Sequence, residues 1–142
     1  MRPPLRIGWS EFVDLPEWGI RGLRAKVDTG ARTSALHVEN VEERPRGRVR
    51  FEVVLDRRQR RVRVEARVRR RARVRSSTGH RTTRIFVATR LELGPLARDV
   101  EVGLVDREQM IHRMLLGRAA LAGCLVDPGR RSWLTRAGRG AR

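Results

Sequence analysis

The stretch Lys26-Val27-Asp28-Thr29-Gly30-Ala31-Arg32-Thr33-Ser34-Ala35-Leu36 holds the residue types best suited to chemistry in this chain. Leu23, Ala25 and Val27 alternate with Arg24 and Lys26, which reads as a strand running straight into Asp28. A carboxylate at a strand end is held out in a tight turn, where it can activate a water. Gly30 has no Cβ, so backbone and substrate can approach closely there. Thr29 can hydrogen-bond across a symmetric interface and fix the loop. Taken alone, Asp-Thr-Gly is short, and an ordinary Asx turn also accounts for it. Ser34 has no His and Asp partners in view, so a serine mechanism is not expected.

A second segment, Met114-Leu115-Leu116-Gly117-Arg118-Ala119-Ala120-Leu121, lies about 90 residues after Asp28. Together the two segments resemble the retropepsin-like aspartic peptidases. In that fold a lobe carries an Asp-Thr/Ser-Gly loop, and a late apolar strand ends in Gly-Arg and leads into a short helix beneath the loop. The chain is most similar to a bacterial branch of small proteins, long named ATP-dependent zinc proteases and now grouped with retropepsin-like endopeptidases. Four segments carry this resemblance: Ile7-Gly8-Trp9 with Leu15-Pro16, Lys26 to His37, Ser76 to Arg84 with its Gly79-His80, and Met110 to Pro128.

The resemblance implies an all-β fold with one short C-terminal helix, a single-lobe acid-protease barrel. It implies Asp28, Thr29 and Gly30 as the catalytic loop. Ala31, Arg32, Thr33, Ser34, Gly79, His80 and Arg118 are then the expected substrate-binding positions. One Asp-Thr-Gly per chain means that a pepsin-like pair of aspartates requires a homodimer. Many retroviral proteases carry an acidic residue after Asp-Thr-Gly-Ala that pairs with the Arg of Gly-Arg, and here that position is Arg32. Arg32 and Arg118 cannot pair with each other. One of them is left to face substrate or another carboxylate such as Asp127, or Arg32 is simply a solvated loop residue.

The historical family name fails on the residues. Zinc takes three or four His, Cys or carboxylate ligands at workable spacing. His37, His80, His112 and Cys124 stand apart, and there is no His-Glu-x-x-His. No Gly-x-x-x-x-Gly-Lys-Ser/Thr phosphate loop is present either. No metal and no cofactor are expected. His37 and His112 read as structural, the three Trp as core or rim, and Cys124, beside Leu125 and Val126, as buried and inert.

The elements that position these residues are mostly strands. Val49, Phe51, Val53 and Leu55 alternate, as do Val62 to Val74, with Arg at most positions between, and Ile85, Val87, Leu91 and Leu93 form a third such series. Turns are expected at Arg44-Pro45-Arg46-Gly47, Asp56-Arg57-Arg58-Gln59 and Leu93-Gly94-Pro95-Leu96. A pair of short strands is expected around Asp14-Leu15-Pro16. Ser76 to His80 reads as the tip of a projecting hairpin, in the place of a retropepsin flap, or as a plain exposed hairpin. Met114-Leu115-Leu116 suits a buried strand, and Gly117 to Gly123 a short helix between glycines.

At 142 residues the chain suits one domain, assigned to 1–135, with a frayed basic tail over 136–142. No apolar run of 18 residues predicts a membrane helix, and no apolar stretch after Met1 predicts a signal peptide. A single cysteine, Cys124, forms no internal disulfide, and a reducing cytoplasm is the default. The net charge of +17 points to an anionic partner. Residues 44–90 hold 18 Arg against Glu52, Asp56 and Glu65, a local net of +15. Their repulsion calls for screening by a partner or counterions. Lys26 is the only Lys among 33 basic residues, so a genome-wide Arg bias also fits.

Two functions compete at this stage. One is an aspartic peptidase acting on acidic peptide or isopeptide bonds. The resemblance adds an association with a ribosomal protein, or with ATP-grasp ligases that add glutamates to it. The other is a peptidase-like module that binds RNA or an acidic protein through the Arg strands without catalysis. No aromatic platform interleaves the Arg residues and Tyr is absent, which disfavours base-specific reading.

Overall fold

The computed structural model describes residues 3–75, 79–106 and 112–135. The expected tail and the hairpin-tip residues 76–78 lie outside the described residues, as do residues 107–111. The elements are β1 (Leu5–Gly8), β2 (Ser10–Leu15), β3 (Ile20–Val27), β4 (Ser34–Arg44), β5 (Arg48–Val54), β6 (Arg61–Arg67), β7 (Arg70–Arg75), β8 (Arg81–Leu93), β9 (Leu96–Val105), β10 (Met114–Leu116) and β11 (Cys124–Asp127). Short 3-10 turns cover Pro16–Trp18 and Pro45–Gly47. None of the described helical turns is long and apolar enough to cross a membrane.

The strands run in the order β10-β3-β2-β8-β9-β4, and β10 also pairs with β4, which closes a barrel of six. β10 lies parallel to β3 and antiparallel to β4, so three residues complete the ring. Closure removes the open edges these six strands would otherwise expose. Inside, Leu15, Ile20, Leu23, Leu36, Leu91, Leu93, Met114 and Leu116 are all buried to 2% exposure or less. Burying a side chain of this kind is worth about 1.5–3 kcal/mol. Phe51 of β5 is fully buried too, edge-on to Trp18 with ring centroids 5.5 Å apart.

Beyond the barrel, β4 extends into β5 and β6, while β7 pairs with the first half of β8. The alternating run Val62 to Val74 is thus two strands. It breaks because the Val68 N–H donates to Gly47 O and the Arg69 N–H to Phe86 O, sending its halves to different neighbours. The expected turns at 45–47, 56–59 and 94–95 all join adjacent antiparallel strands.

The expected helix over Gly117 to Gly123 is absent. The chain there closes only i to i+3 bonds, Ala120 N–H to Gly117 O and Leu121 N–H to Arg118 O. The N–H groups of Arg118 and Ala119 are engaged elsewhere, and Arg98 Nη1 takes the carbonyls of Ala120 and Ala122. Backbone groups held from outside cannot form the regular ladder of an α-helix. Cys124 is half-buried rather than buried, and burial pushes its thiol pKa up, toward the unreactive form.

The C-terminal segment returns to the barrel through one carboxylate. Glu11 is fully buried. Its two oxygens accept the backbone N–H groups of Gly8, Trp133, Leu134 and Thr135 at 2.7–2.9 Å, and the Thr135 hydroxyl at 2.6 Å. Burial alone would raise its pKa. The Thr135 hydroxyl and the backbone donors outweigh that and hold it below the usual glutamate value.

The arginines do not face each other unscreened. β4 and β9 supply Glu39, Glu42, Glu43, Asp99 and Glu101 to Arg61, Arg44, Arg71, Arg90 and Arg70. Glu65 takes Arg48 at 2.9 Å and Arg50 at 3.7 Å. The chain therefore screens part of its own charge, and the surface remains strongly basic.

Candidate active site

Asp28 follows β3 directly, at the point where the barrel strands Val27 and Leu116 end together. Trp9 O, at the start of β2, accepts the Val27 N–H at 2.9 Å, and Leu116 O accepts the Asp28 N–H at 2.9 Å. The loop thus leaves the barrel with Val27 and Asp28 each held by a backbone bond, to strands on either side. Asp28 Oδ1 accepts the Gly30 N–H at 3.0 Å. This is the Asx turn the tripeptide suggested, and it orients the carboxylate.

Residues 116–119 hold the rest of the loop. Gly117 N–H donates to Ser34 Oγ at 3.1 Å, Arg118 N–H to Ala31 O at 2.8 Å and Ala119 N–H to Arg32 O at 3.0 Å. Arg118 Nη1 donates to Thr29 O at 2.9 Å. Gly117 is required by closeness. A Cβ there would lie 2.5 Å from Thr33 O and 2.8 Å from Arg32 O. The two segments singled out in the sequence are therefore one hydrogen-bonded unit.

Asp28, Ala31 and Thr33 line a cleft of about 220 Å³, with Ala35, Arg84, Val105 and Leu115. Thr29, Gly30 and Arg32 are exposed on the loop. Ser34 differs from the expected substrate contact. It is buried, with its hydroxyl on Gly117, so it supports the loop from below. Asp127 pairs with Arg6 rather than with Arg32 or Arg118, and that guanidinium, with the Gly129 N–H, holds its pKa low. Arg118 instead takes the Thr29 carbonyl.

Gly79 and His80 are exposed beyond β7, and neither lines the cleft at Asp28. What the hairpin brings to the cleft is Arg84 of β8, which the sequence reading passed over, together with Val105 of β9. A signal existed in Gly103, an isolated glycine between Val102 and Leu104, since glycine within a strand marks close approach. The histidines are dispersed. His37 is buried beside Glu39, and His112 packs edge-on to Trp9 with centroids 6.1 Å apart. Burial, and then the Lys26 charge, pushes the His112 pKa down. Among the described residues no group of three or more His, Cys, Asp or Glu is placed to hold a metal ion.

A carboxylate oriented on a braced loop at the mouth of a cleft, on a closed six-stranded barrel, is retropepsin-like architecture. A sequence profile described as retropepsin-like aspartic endopeptidase RimB matches residues 6–137. The chain belongs to the RimB-like family.

Its curated relatives carry another activity in their names. The chain is 37% identical over 130 residues to a protein of Shewanella pealeana, and 38% identical over 128 residues to one of Desulfotalea psychrophila, each named "Probable alpha-L-glutamate ligase". Each match covers 86% of this chain and 28% of the relative, so the chain spans under a third of their length. Among solved structures, Lpg0085 of Legionella pneumophila, a protein of unknown function, superposes with a TM-score of 0.74 at 26% identity. That match covers 89% of this chain and 95% of the other.

Proposed function

We propose that this RimB-like protein is an aspartic-type endopeptidase that cleaves peptide bonds in glutamate-rich tails with a water activated by Asp28. The observation that carries this reading is the Asp28 loop itself, with its carboxylate oriented by Gly30 and opening on a cleft, and its backbone fixed by residues 116–119. One chain supplies one such carboxylate, so the second comes from a second copy across a two-fold axis. The pair shares one proton, because like charges so close cannot both ionise. The ionised member takes a proton from the water as its oxygen attacks the carbonyl carbon. The neutral member hydrogen-bonds the carbonyl oxygen. Collapse of the tetrahedral intermediate breaks the C–N bond, and the leaving nitrogen takes a proton from the dyad.

Two features support an acidic substrate. Residues 44–90 carry 18 Arg against three acidic residues, and Arg recognises carboxylates through paired N–H donors. The relatives named as glutamate ligases join a segment like this one to a longer chain. We place the protein beside such a ligase, acting on the glutamate tail of a ribosomal or other protein.

The test compares peptides with an oligoglutamate tail and an oligoglutamine tail, followed by mass spectrometry, together with sedimentation of the protein. Wild type is expected to shorten the glutamate tail as a dimer. Asp28→Asn is expected to lose roughly 10³-fold in rate with the fold kept. Full activity in Asp28→Asn would sink the aspartic mechanism, and an active monomer would sink the shared dyad.

A further inference from the structure

A single peptide group joins residues 130–135 to the Asp28 loop. On one side of the Trp9–Ser10 unit, the Ser10 N–H donates to Arg131 O at 2.7 Å. On the other, the Trp9 carbonyl accepts the Val27 N–H at 2.9 Å. A trans peptide is planar, with N–H and C=O pointing opposite ways, so neither bond shifts without the other. Val27 is the last residue of β3 and the neighbour of Asp28.

Residues 130–135 run beside residues 8–12 as a strap. Trp9 N–H donates to Arg130 O at 2.8 Å, and Ser132 Oγ to Ser10 O at 2.6 Å. A Cβ on Gly8 would lie 2.6 Å from both Arg130 O and Arg131 O, so the two backbones are as close as glycine permits. The next three N–H groups of the strap, of Trp133, Leu134 and Thr135, all end on the Glu11 carboxylate. Thr135 Oγ1 accepts the Phe12 N–H at 2.7 Å. The Trp133 ring carries the Arg6 guanidinium at 3.9 Å, and Leu134 fills the space that a Cβ on Gly94 would take. None of these residues lines the cleft at Asp28, so substrate contact does not account for their bonding.

The arrangement has a consequence for catalysis. A catalytic group displaced by about 1 Å loses on the order of 10²-fold in rate, even when the change lies far from the chemistry. Glu11 is buried and holds the strap by its charge, since only an ionised carboxylate accepts from so many donors at once. We propose that Glu11 is a positioning residue for Asp28: it anchors the 130–135 strap, and the strap fixes the exit of β3 through the Trp9–Ser10 peptide. The kinetic consequence rests on the peptidase reading, and the placement of the loop on the bonding alone.

The test follows amide exchange by NMR in wild type, Glu11→Gln and Val64→Ala. Val64 is buried on β6, outside the barrel ring, so its truncation lowers stability without touching the strap. Relative to the most protected amides of β8 and β9, exchange at Val27 and Asp28 is expected to rise about tenfold in Glu11→Gln and to keep pace in Val64→Ala. Exchange in Glu11→Gln that rises in the strap but keeps pace with the core at Val27 and Asp28 overturns the proposal, as does an equal relative rise in both variants. On the oligoglutamate peptide, kcat is expected to fall about tenfold in Glu11→Gln with KM within about twofold, and to hold in Val64→Ala. An unchanged kcat, or a loss carried by KM, overturns the proposal and leaves the peptidase reading intact. Should wild type cleave no peptide, the peptidase reading fails and exchange alone decides. Should Glu11→Gln fail to fold by thermal melting, Thr135→Val carries the test, because it removes the hydroxyl shared by Glu11 and Phe12. A relative rise of about threefold at Val27 and Asp28 then supports the proposal, and an unchanged exchange overturns it.

Discussion

Around Asp28 the fixing contacts are mostly backbone N–H groups on carbonyl or hydroxyl oxygens, with Arg118 Nη1 on Thr29 O as a charged donor beside them. Around the arginine-rich strands the contacts are exposed ion pairs. Arg48 and Glu65 are 41% and 39% exposed, Arg70 and Glu101 44% and 28%. The first network is directional and short-ranged, and it leaves no room for a methyl group at Gly117. The second is screened by salt, shares acceptors among several arginines and tolerates rearrangement. A site that must place one carboxylate to a fraction of an ångström is braced by backbone. A surface held by exposed ion pairs keeps charges that can exchange partners.

The largest expected effect breaks the first network. Gly117→Ala puts a Cβ against the carbonyls of Thr33 and Arg32, and backbone atoms cannot rotate away as a side-chain end can. We expect a cost of about 3 kcal/mol and loss of activity, because the shift that relieves the clash moves the Asp28 loop. Urea unfolding alongside peptide cleavage checks this. A variant with unchanged midpoint and rate would mean that the loop is far softer than its bonding suggests.

The next effect separates buried from exposed charge. Glu11 is ionised in the fold and held below its ordinary value of 4.5, so its contribution is fully present above that value. It is lost as pH falls through the folded pKa, because the unfolded chain takes up the proton first. Glu39, Asp56 and Glu65 are also held low, chiefly by Arg61, Arg60 and Arg48, and their effect has the same sign. Salt tells the two apart. In about 1 M salt the exposed pairs are screened, and Glu11 keeps its fall in stability from about pH 5 downward. Glu11→Gln should cost about 2–3 kcal/mol near neutral pH and flatten that remaining pH dependence. A melting temperature in high salt with the same pH profile as wild type would show that Glu11 does not carry it.

The same contrast explains what could be read from the sequence. Asp28, Gly30, Gly117 and the residues between Lys26 and Leu36 were legible, because a backbone network restricts residue type at each point. The alternating strands were legible because one face is buried. The helix expected after Gly117 failed because helix-forming residues do not reveal that the N–H groups of Arg118 and Ala119 are taken by another loop. Ser34 was expected as a substrate contact because it lies in the motif that carries the resemblance, and only its burial shows that its hydroxyl supports the loop instead. β4 and β9 were passed over because their glutamates and arginines interrupt the apolar pattern, although those same residues screen the arginines of neighbouring strands. Arg84 was hidden among 32 arginines, where type alone distinguishes nothing.

The smallest effect belongs to the exposed network. Arg48 and Arg50 share Glu65, at 2.9 and 3.7 Å. Removing Arg48 leaves Arg50 within reach, so Arg48→Gln should cost less than about 0.5 kcal/mol and should cost nothing measurable in high salt. Glu65→Gln removes the shared acceptor and leaves two neighbouring guanidinium groups facing each other, so it should cost more than Arg48→Gln at low salt. Urea midpoints of both variants at low and high salt measure the difference. If Arg48→Gln were as damaging as Gly117→Ala, the arginine strands would be structural braces rather than a tolerant surface. The proposal that they dock acidic chains would then fail, because a brace cannot exchange its internal carboxylate for one from a substrate without loosening the fold.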